Sequence, residues 1–177
     1  KEIFFKIYNN KKIHNSKIIC IDEGKFKGTG GALFKIKNII SKKFIMINGD
    51  TFFDINYNNL INTNINKFYA CIALTKRTNY KYNKKIINVE ITKNNVLRFS
   101  TTKTNLMNGG VYLFNKKIFK FIQNRYLSLE NDILNKILPK NKIKGRFFNN
   151  NFVDIGTKNK LSFIKKKSNL LKNKAIF

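Results

Sequence analysis

The sequence predicts an α/β domain built on a doubly wound, mostly parallel sheet. Three observations predict it. Short apolar runs of strand length, at residues 44–48, 68–74 and 110–114, alternate with stretches whose apolar residues recur at helical spacing. The run Phe44-Ile45-Met46-Ile47 carries apolar side chains on both faces, as a strand does when helices cover its sheet on both sides. The chain has 177 residues and an ordinary apolar fraction of 42%, which is enough for one core and too much for a disordered chain.

Taken in order, residues 1–12 show helical spacing of Ile3, Phe4, Ile7 and Tyr8. Residues 17–22 read as a strand. Gly28-Thr29-Gly30-Gly31 breaks the pattern, and residues 32–40 resume as a helix. After the strand at 44–48, residues 57–65 read as a helix and 68–74 as a buried strand. Residues 86–99 read as a β-hairpin turning at Asn94-Asn95, an antiparallel excursion from the sheet. The strand at 110–114 is followed by helices at 115–122 and 128–138, the second capped by Ser128 and stopped by Pro139. Residues 143–155 give two strands around Asn149-Asn150-Asn151. Thr157 then caps a final amphipathic helix with Leu161, Ile164 and Leu171 on one face.

Composition narrows the function classes. No run of eighteen apolar residues exists, so no membrane-spanning helix and no membrane partner are expected. The first residues lack the apolar centre and cleavage site of a signal peptide. Cys20 and Cys71 sit in separate apolar runs without metal-ligand spacing, and read as reduced core residues of a cytoplasmic protein. The net charge of +27, from 36 Lys and Arg against nine Asp and Glu, raises nucleic-acid binding as an alternative. The excess is nearly all Lys, evenly spread, and travels with abundant Asn and Ile. That pattern is a bias of the whole chain, with Lys on solvated faces, rather than an Arg-and-aromatic surface that tracks phosphates. Within such a bias, the surviving acids and glycines carry more information.

In an open α/β sheet, ligands bind beyond the carboxyl ends of the strands. Asp50 falls there, at the end of the apolar run and after Gly49. Asp154 has a similar setting, between an apolar pair and Gly156. Two acids at strand ends suit one Mg²⁺ carrying a phosphorylated ligand, because Mg²⁺ is usually held by one or two carboxylates plus substrate phosphates. Each also suits a plain turn or cap. Gly28-Thr29-Gly30-Gly31 can offer backbone N–H groups to a base or phosphate, though it lacks the Lys of a phosphate-binding loop. Asn108-Gly109-Gly110 suits a sugar hydroxyl or a turn. Glu130 lies in the first turn of its helix, where the dipole and the cap favour a carboxylate. His14, the single histidine, has polar neighbours and supports no His-based triad.

Together, GKFKGTGGAL, FIMINGDTFFDIN, MNGGVYLF, SLENDIL and FFNNNFVDIGT occur in the order found in sugar-1-phosphate nucleotidyltransferases. The set most resembles the D-glycero-α-D-manno-heptose 1-phosphate guanylyltransferases and the related mannose-1-phosphate guanylyltransferases. The resemblance spans about residues 1–165. It implies a Rossmann-like nucleotidyltransferase sheet and a cytoplasmic enzyme of nucleotide-sugar synthesis, making a precursor for lipopolysaccharide or S-layer glycan. A sugar 1-phosphate would attack the α-phosphate of an NTP, with Mg²⁺ as cofactor. The expected substrates are GTP and the heptose 1-phosphate, with mannose 1-phosphate as the alternative sugar. The resemblance makes Asp50 and Asp154 the catalytic metal ligands. It sets Gly28, Thr29, Gly30 and Gly31 near the base, and Gly49 under the nucleotide. Asn108, Gly109 and Glu130 would contact the sugar phosphate.

Three departures qualify the resemblance. The family opens with a strand and a Gly-rich loop ending in Thr-Arg, whereas this sequence begins with a helix pattern. The family's Phe-x-Glu-Lys element reads FSTTK at 99–103, so Lys103 matches only with a one-residue shift. The last residues, NKAIF, resemble the start of the first strand in haloacid-dehalogenase-type heptose bisphosphate phosphatases. The expected organisation is therefore a nucleotidyltransferase domain over residues 1–173 lacking its N-terminal part, with 174–177 beginning a phosphatase domain. Such a chain is expected to be weakly active or inactive alone. A non-catalytic subunit that binds nucleotide or sugar phosphate, a homo-oligomer, and a fused or companion phosphatase domain all stay open.

Overall fold

The computed structural model describes residues 1–76, 89–100, 104–156, 158 and 161–162. Lys103, Thr157, residues 86–88 of the predicted hairpin, nearly all of the last predicted helix and residues 174–177 lie outside that set.

The chain begins with helix α1 (Glu2–Tyr8) and a short antiparallel pair, β1 (Lys12–Ile13) and β2 (Ser16–Lys17). Helix α2 (Gly28–Ala32) tightens into a 3-10 turn over Leu33–Ile36. Strands β3 (Lys43–Ile47) and β4 (Thr51–Phe53) precede helix α3 (Tyr57–Ile61). Next come β5 (Ala70–Lys76), β6 (Val89–Ile91), β7 (Leu97–Phe99) and β8 (Leu106–Asn115). A 3-10 segment, Lys116–Phe121, and a π-helical segment, Leu129–Leu134, lead into α4 (Asn135–Ile137) and a last 3-10 turn, Leu138–Lys140. Strands β9 (Ile143–Phe147) and β10 (Phe152–Asp154) follow.

The chain divides into two compact units. One comprises residues 1–41 and 116–136, the other 42–115 and 137–177. The second holds the main sheet, ordered β3-β8-β5-β9. β8 is antiparallel to β3 and β5, and β5 is parallel to β9. Three of the four strands therefore run in one direction with β8 reversed, which is the mostly parallel α/β arrangement that the sequence predicts. The core lies under β5, six of whose seven residues are buried. Phe53, Leu60, Ile65, Cys71, Val111 and Leu113 pack there. Fully burying such a side chain stabilises by about 1.5–3 kcal/mol. Cys71 lies inside this cluster, and burial pushes its thiol up to about 11. Cys20, expected in the core, is only half-buried.

Several elements differ from expectation. Of the first predicted strand, 17–22, only Lys17 is in a strand, β2; Ile18 still exchanges backbone hydrogen bonds with Asn10 and Lys11, and residues 19–22 are irregular. Gly28 to Gly31 do not interrupt a helix but form one. The two faces of β3 are not both covered. It is an edge strand whose Phe44, Ile45 and Met46 are half-buried, while Lys43 and Ile47 are exposed, Ile47 to 46%. The helix predicted at 115–122 is 3-10. The one predicted at 128–138 is π, then α, then 3-10, and it ends at Asn141 in the left-handed region, two residues beyond Pro139. The Ser128 cap forms as expected, its side chain accepting from Asn131 N. The hairpin turn at Asn94-Asn95 also forms, with Asn95 at φ +57° and its N–H on Thr92 O. β9 and β10 are both strands but do not pair with each other.

Candidate active site

Asn48-Gly49-Asp50 is the tight connection between β3 and β4, closed by Thr51 N donating to Asn48 O at 3.2 Å. Polar residues and a glycine between two apolar runs favour such a turn. β4 pairs antiparallel with β10, and the register sets Asp154 opposite Thr51. Ile155 N donates to Asp50 O at 2.8 Å, and Asp54 N to Asn151 O at 3.0 Å, extending the ladder at both ends. Edge-on contacts of Phe53 with Phe148 and Phe152 pin the ladder to the core. The ladder thus brings together two carboxylates that are far apart in the chain.

Gly156 shows how close they come. A side chain there would put its first carbon 2.6 Å from Asp50 Oδ2 and 3.1 Å from Asp154 Oδ1. The Gly156 N–H donates to Asp154 Oδ1 at 2.8 Å. Both carboxylates therefore border one small volume that a glycine leaves open. Asp50 and Gly156 are exposed and Asp154 is half-buried, so the volume is reached from solvent. Among the described residues no group of three or more His, Cys, Asp or Glu side chains that could hold a metal occurs. Two carboxylate oxygens are the hard donor type that Mg²⁺ takes, with water and phosphate oxygens filling the rest of its shell.

Gly49 is exposed, with open space around it. Asn108, Gly109 and Gly110 lie in β8, where the register with β5 shifts between Ile72 and Leu74. The Asn108 amide is engaged within the protein. Its Nδ2 donates to Tyr112 Oη at 2.7 Å, and its Oδ1 accepts from Gly110 N at 2.9 Å.

In the other unit, Gly28, Gly30 and Gly31 are buried. Gly30 N and Gly31 N both donate to Leu127 O, at 2.8 and 3.2 Å. Thr29 Oγ1 accepts from Leu129 N at 3.1 Å. The two glycine N–H groups expected to meet a ligand are thus used in packing. Glu130 is half-buried in the first turn of the π-helical segment, with its carbonyl accepting from Asn135 N. The sequence reading missed Gly156, Tyr112, Asn48 and Thr51 as contributors. For Gly156 a signal was present, since it lies two residues after Asp154 in a chain with only nine glycines.

A mixed α/β sheet stands beside a two-stranded ladder that brings Asp50, in the turn before β4, to Asp154 at the end of β10. The family model described as nucleotidyl transferase matches residues 1–172, and the chain belongs to that family. A D-glycero-α-D-manno-heptose 1-phosphate guanylyltransferase of Campylobacter jejuni is 33% identical over 134 residues, covering 73% of this chain and 58% of that protein. The bifunctional protein GlmU of Methanococcus aeolicus is 30% identical over 165 residues, covering 88% of this chain and 38% of that protein. The chain thus spans well under half the length of this GlmU. Among solved structures, HddC from Yersinia pseudotuberculosis is similar with a TM-score of 0.68 and 25% identity, over 87% of this chain and 68% of that one. A second HddC structure, complexed with GMP-PN, has a TM-score of 0.66. Among the described residues no helix is long and apolar enough to cross a membrane.

Proposed function

We propose that the chain carries the cation-binding half of a sugar-1-phosphate guanylyltransferase whose substrates are GTP and D-glycero-α-D-manno-heptose 1-phosphate. The observation that carries this reading is the approach of Asp50 Oδ2 and Asp154 Oδ1 to the open volume at Gly156. Asp50 and Asp154 would hold one Mg²⁺, which when bound neutralises charge on the triphosphate. In the reaction, a phosphate oxygen of the sugar 1-phosphate attacks the α-phosphorus of GTP. The new P–O bond forms as the α–β bridging bond breaks, and pyrophosphate leaves with the bond electrons. This chain's share of the work is positioning. The β4–β10 ladder fixes both carboxylates before substrate arrives, so little reorganisation is needed at the moment of transfer. The choice of guanine and heptose rests on the 33% identity to the Campylobacter jejuni enzyme and on the likeness to HddC. By resemblance, Asn108, Gly109, Glu130 and Lys103 serve the sugar phosphate and Gly49 the nucleotide, while Gly30 and Gly31, whose N–H groups donate to Leu127 O, serve packing.

Equilibrium dialysis with Mg²⁺ and each of GTP, UTP, CTP and dTTP tests the reading, with pyrophosphate release on adding heptose 1-phosphate or mannose 1-phosphate as a second measurement. GTP is expected to bind ahead of the others, and Asp50→Asn to abolish the Mg²⁺-dependent part. Equal binding of all four nucleotides, or binding indifferent to Asp50→Asn, overturns it.

A further inference from the structure

We infer that Asn108, latched by the buried Tyr112 hydroxyl, is a positioning residue for the Asp50 turn, acting through the bulge of β8. The inference rests on the reading that Asp50 and Asp154 hold a divalent cation. It gives Asn108 a task separate from any contact with sugar.

The bulge comes first. On β5, Ile72 and Leu74 are two residues apart, yet their partners on β8, Tyr112 and Asn108, are four apart. β8 therefore carries extra chain at Gly109-Gly110, and such a bulge bends the strand locally. Gly110 sits at φ +69°, a conformation that a residue with a Cβ rarely adopts. Both glycines face the strand that follows Asp50. A side chain at Gly109 would run into the Phe53 ring, and one at Gly110 would lie 2.6 Å from Thr51 Oγ1. The bulge is thus the seat on which β4 rests.

The connection to Asp50 is a short relay of hydrogen bonds. Tyr112 Oη accepts from Asn108 Nδ2 at 2.7 Å, and Asn108 Oδ1 accepts from Gly110 N at 2.9 Å. Gly110 O accepts from Asn48 N at 2.9 Å, and Asn48 O accepts from Thr51 N at 3.2 Å. Asp50 lies inside that last turn, and its own carbonyl accepts from Ile155 N beside Asp154. The left-handed Gly110 is held by the Asn108 carboxamide, and Gly110 in turn holds Asn48. Without the latch, the Asp50 carboxylate keeps its chemistry but loses its fixed distance from Asp154. Supporting groups of this kind typically change metal affinity by about 10- to 100-fold.

Tyr112 makes the idea testable, because it is 0% exposed and cannot touch a ligand. Its ring stacks on Phe114, so Tyr112→Phe keeps the packing and removes the hydroxyl alone. The experiment titrates Mn²⁺ alone into the 177-residue chain, reading free ion by electron paramagnetic resonance, with thermal melts alongside. Tyr112→Phe and Asn108→Ala are each expected to weaken Mn²⁺ binding by about ten-fold, while the melting temperature of Tyr112→Phe stays within a few degrees of the parent. Unchanged Mn²⁺ affinity in both variants, with Asp50→Asn abolishing binding, overturns the inference and leaves the cation site intact. Binding that also survives Asp50→Asn overturns the cation reading itself, and the inference with it.

Discussion

The Asp50–Asp154 pair and the Gly28-Thr29-Gly30-Gly31 stretch look alike as sequence. Each is a short set of chemically capable residues beside an apolar run. Folding treats them differently. At the glycines, two N–H groups converge on the single carbonyl of Leu127, and Thr29 accepts from Leu129 N, so the polar groups are spent on packing. At the acids, backbone groups close the β4–β10 ladder, and the two carboxylates are carried to one volume open to solvent. A glycine-rich motif needs its backbone to reach a ligand, and packing competes for that backbone. A side-chain motif leaves the backbone to the fold and keeps its chemistry outside it.

The largest effect that sharpens this contrast is expected at Asp154. Asp154→Asn should weaken binding of Mn²⁺ with nucleotide on the order of 10²- to 10³-fold, the scale of removing one preorganised charge-stabilising group. Paramagnetic titration reads it, and a matching loss in Gly30→Ala would erase the contrast. Next comes Gly30→Ala itself. Its new methyl would sit 2.6 Å from Ile133 Cδ1 and 3.0 Å from Leu127 O, so overpacking should cost about 1–3 kcal/mol in urea unfolding. Unchanged stability with lost GTP affinity would instead make the glycines ligand-facing. The smallest effect is expected for Thr29→Val, which removes the acceptor for Leu129 N and should cost about 0.5–1.5 kcal/mol in the same assay.

Much of the fold was legible because its strands are short and strongly apolar. Residues 70–74 of the strand predicted at 68–74 fall within β5, residues 110–114 fall within β8, and the turn at Asn94-Asn95 is where local propensity put it. Residues 19–22 misled because a strand needs a ladder partner, which no local pattern reveals. β3 misled because apolar residues on both sides say nothing about which neighbours are present. At the site, Asp50 and Asp154 were legible from their positions at strand ends. Their approach was not, since it depends on the pairing of β4 with β10, a non-local register. The Tyr112–Asn108 latch was invisible for the same reason: the bulge that needs it exists only once β8 lies against β5.

That β4–β10 register also sets a timetable. Its two strands are separated by nearly a hundred residues, and closing so long a loop is slow compared with forming a local turn. The Asn48–Thr51 turn can form early, but Asp50 meets Asp154 only when residues 152–154 return to β4. A partly folded molecule can therefore own both acids and still hold them far apart. In this protein the approach of the two acids reports that β4 has found β10.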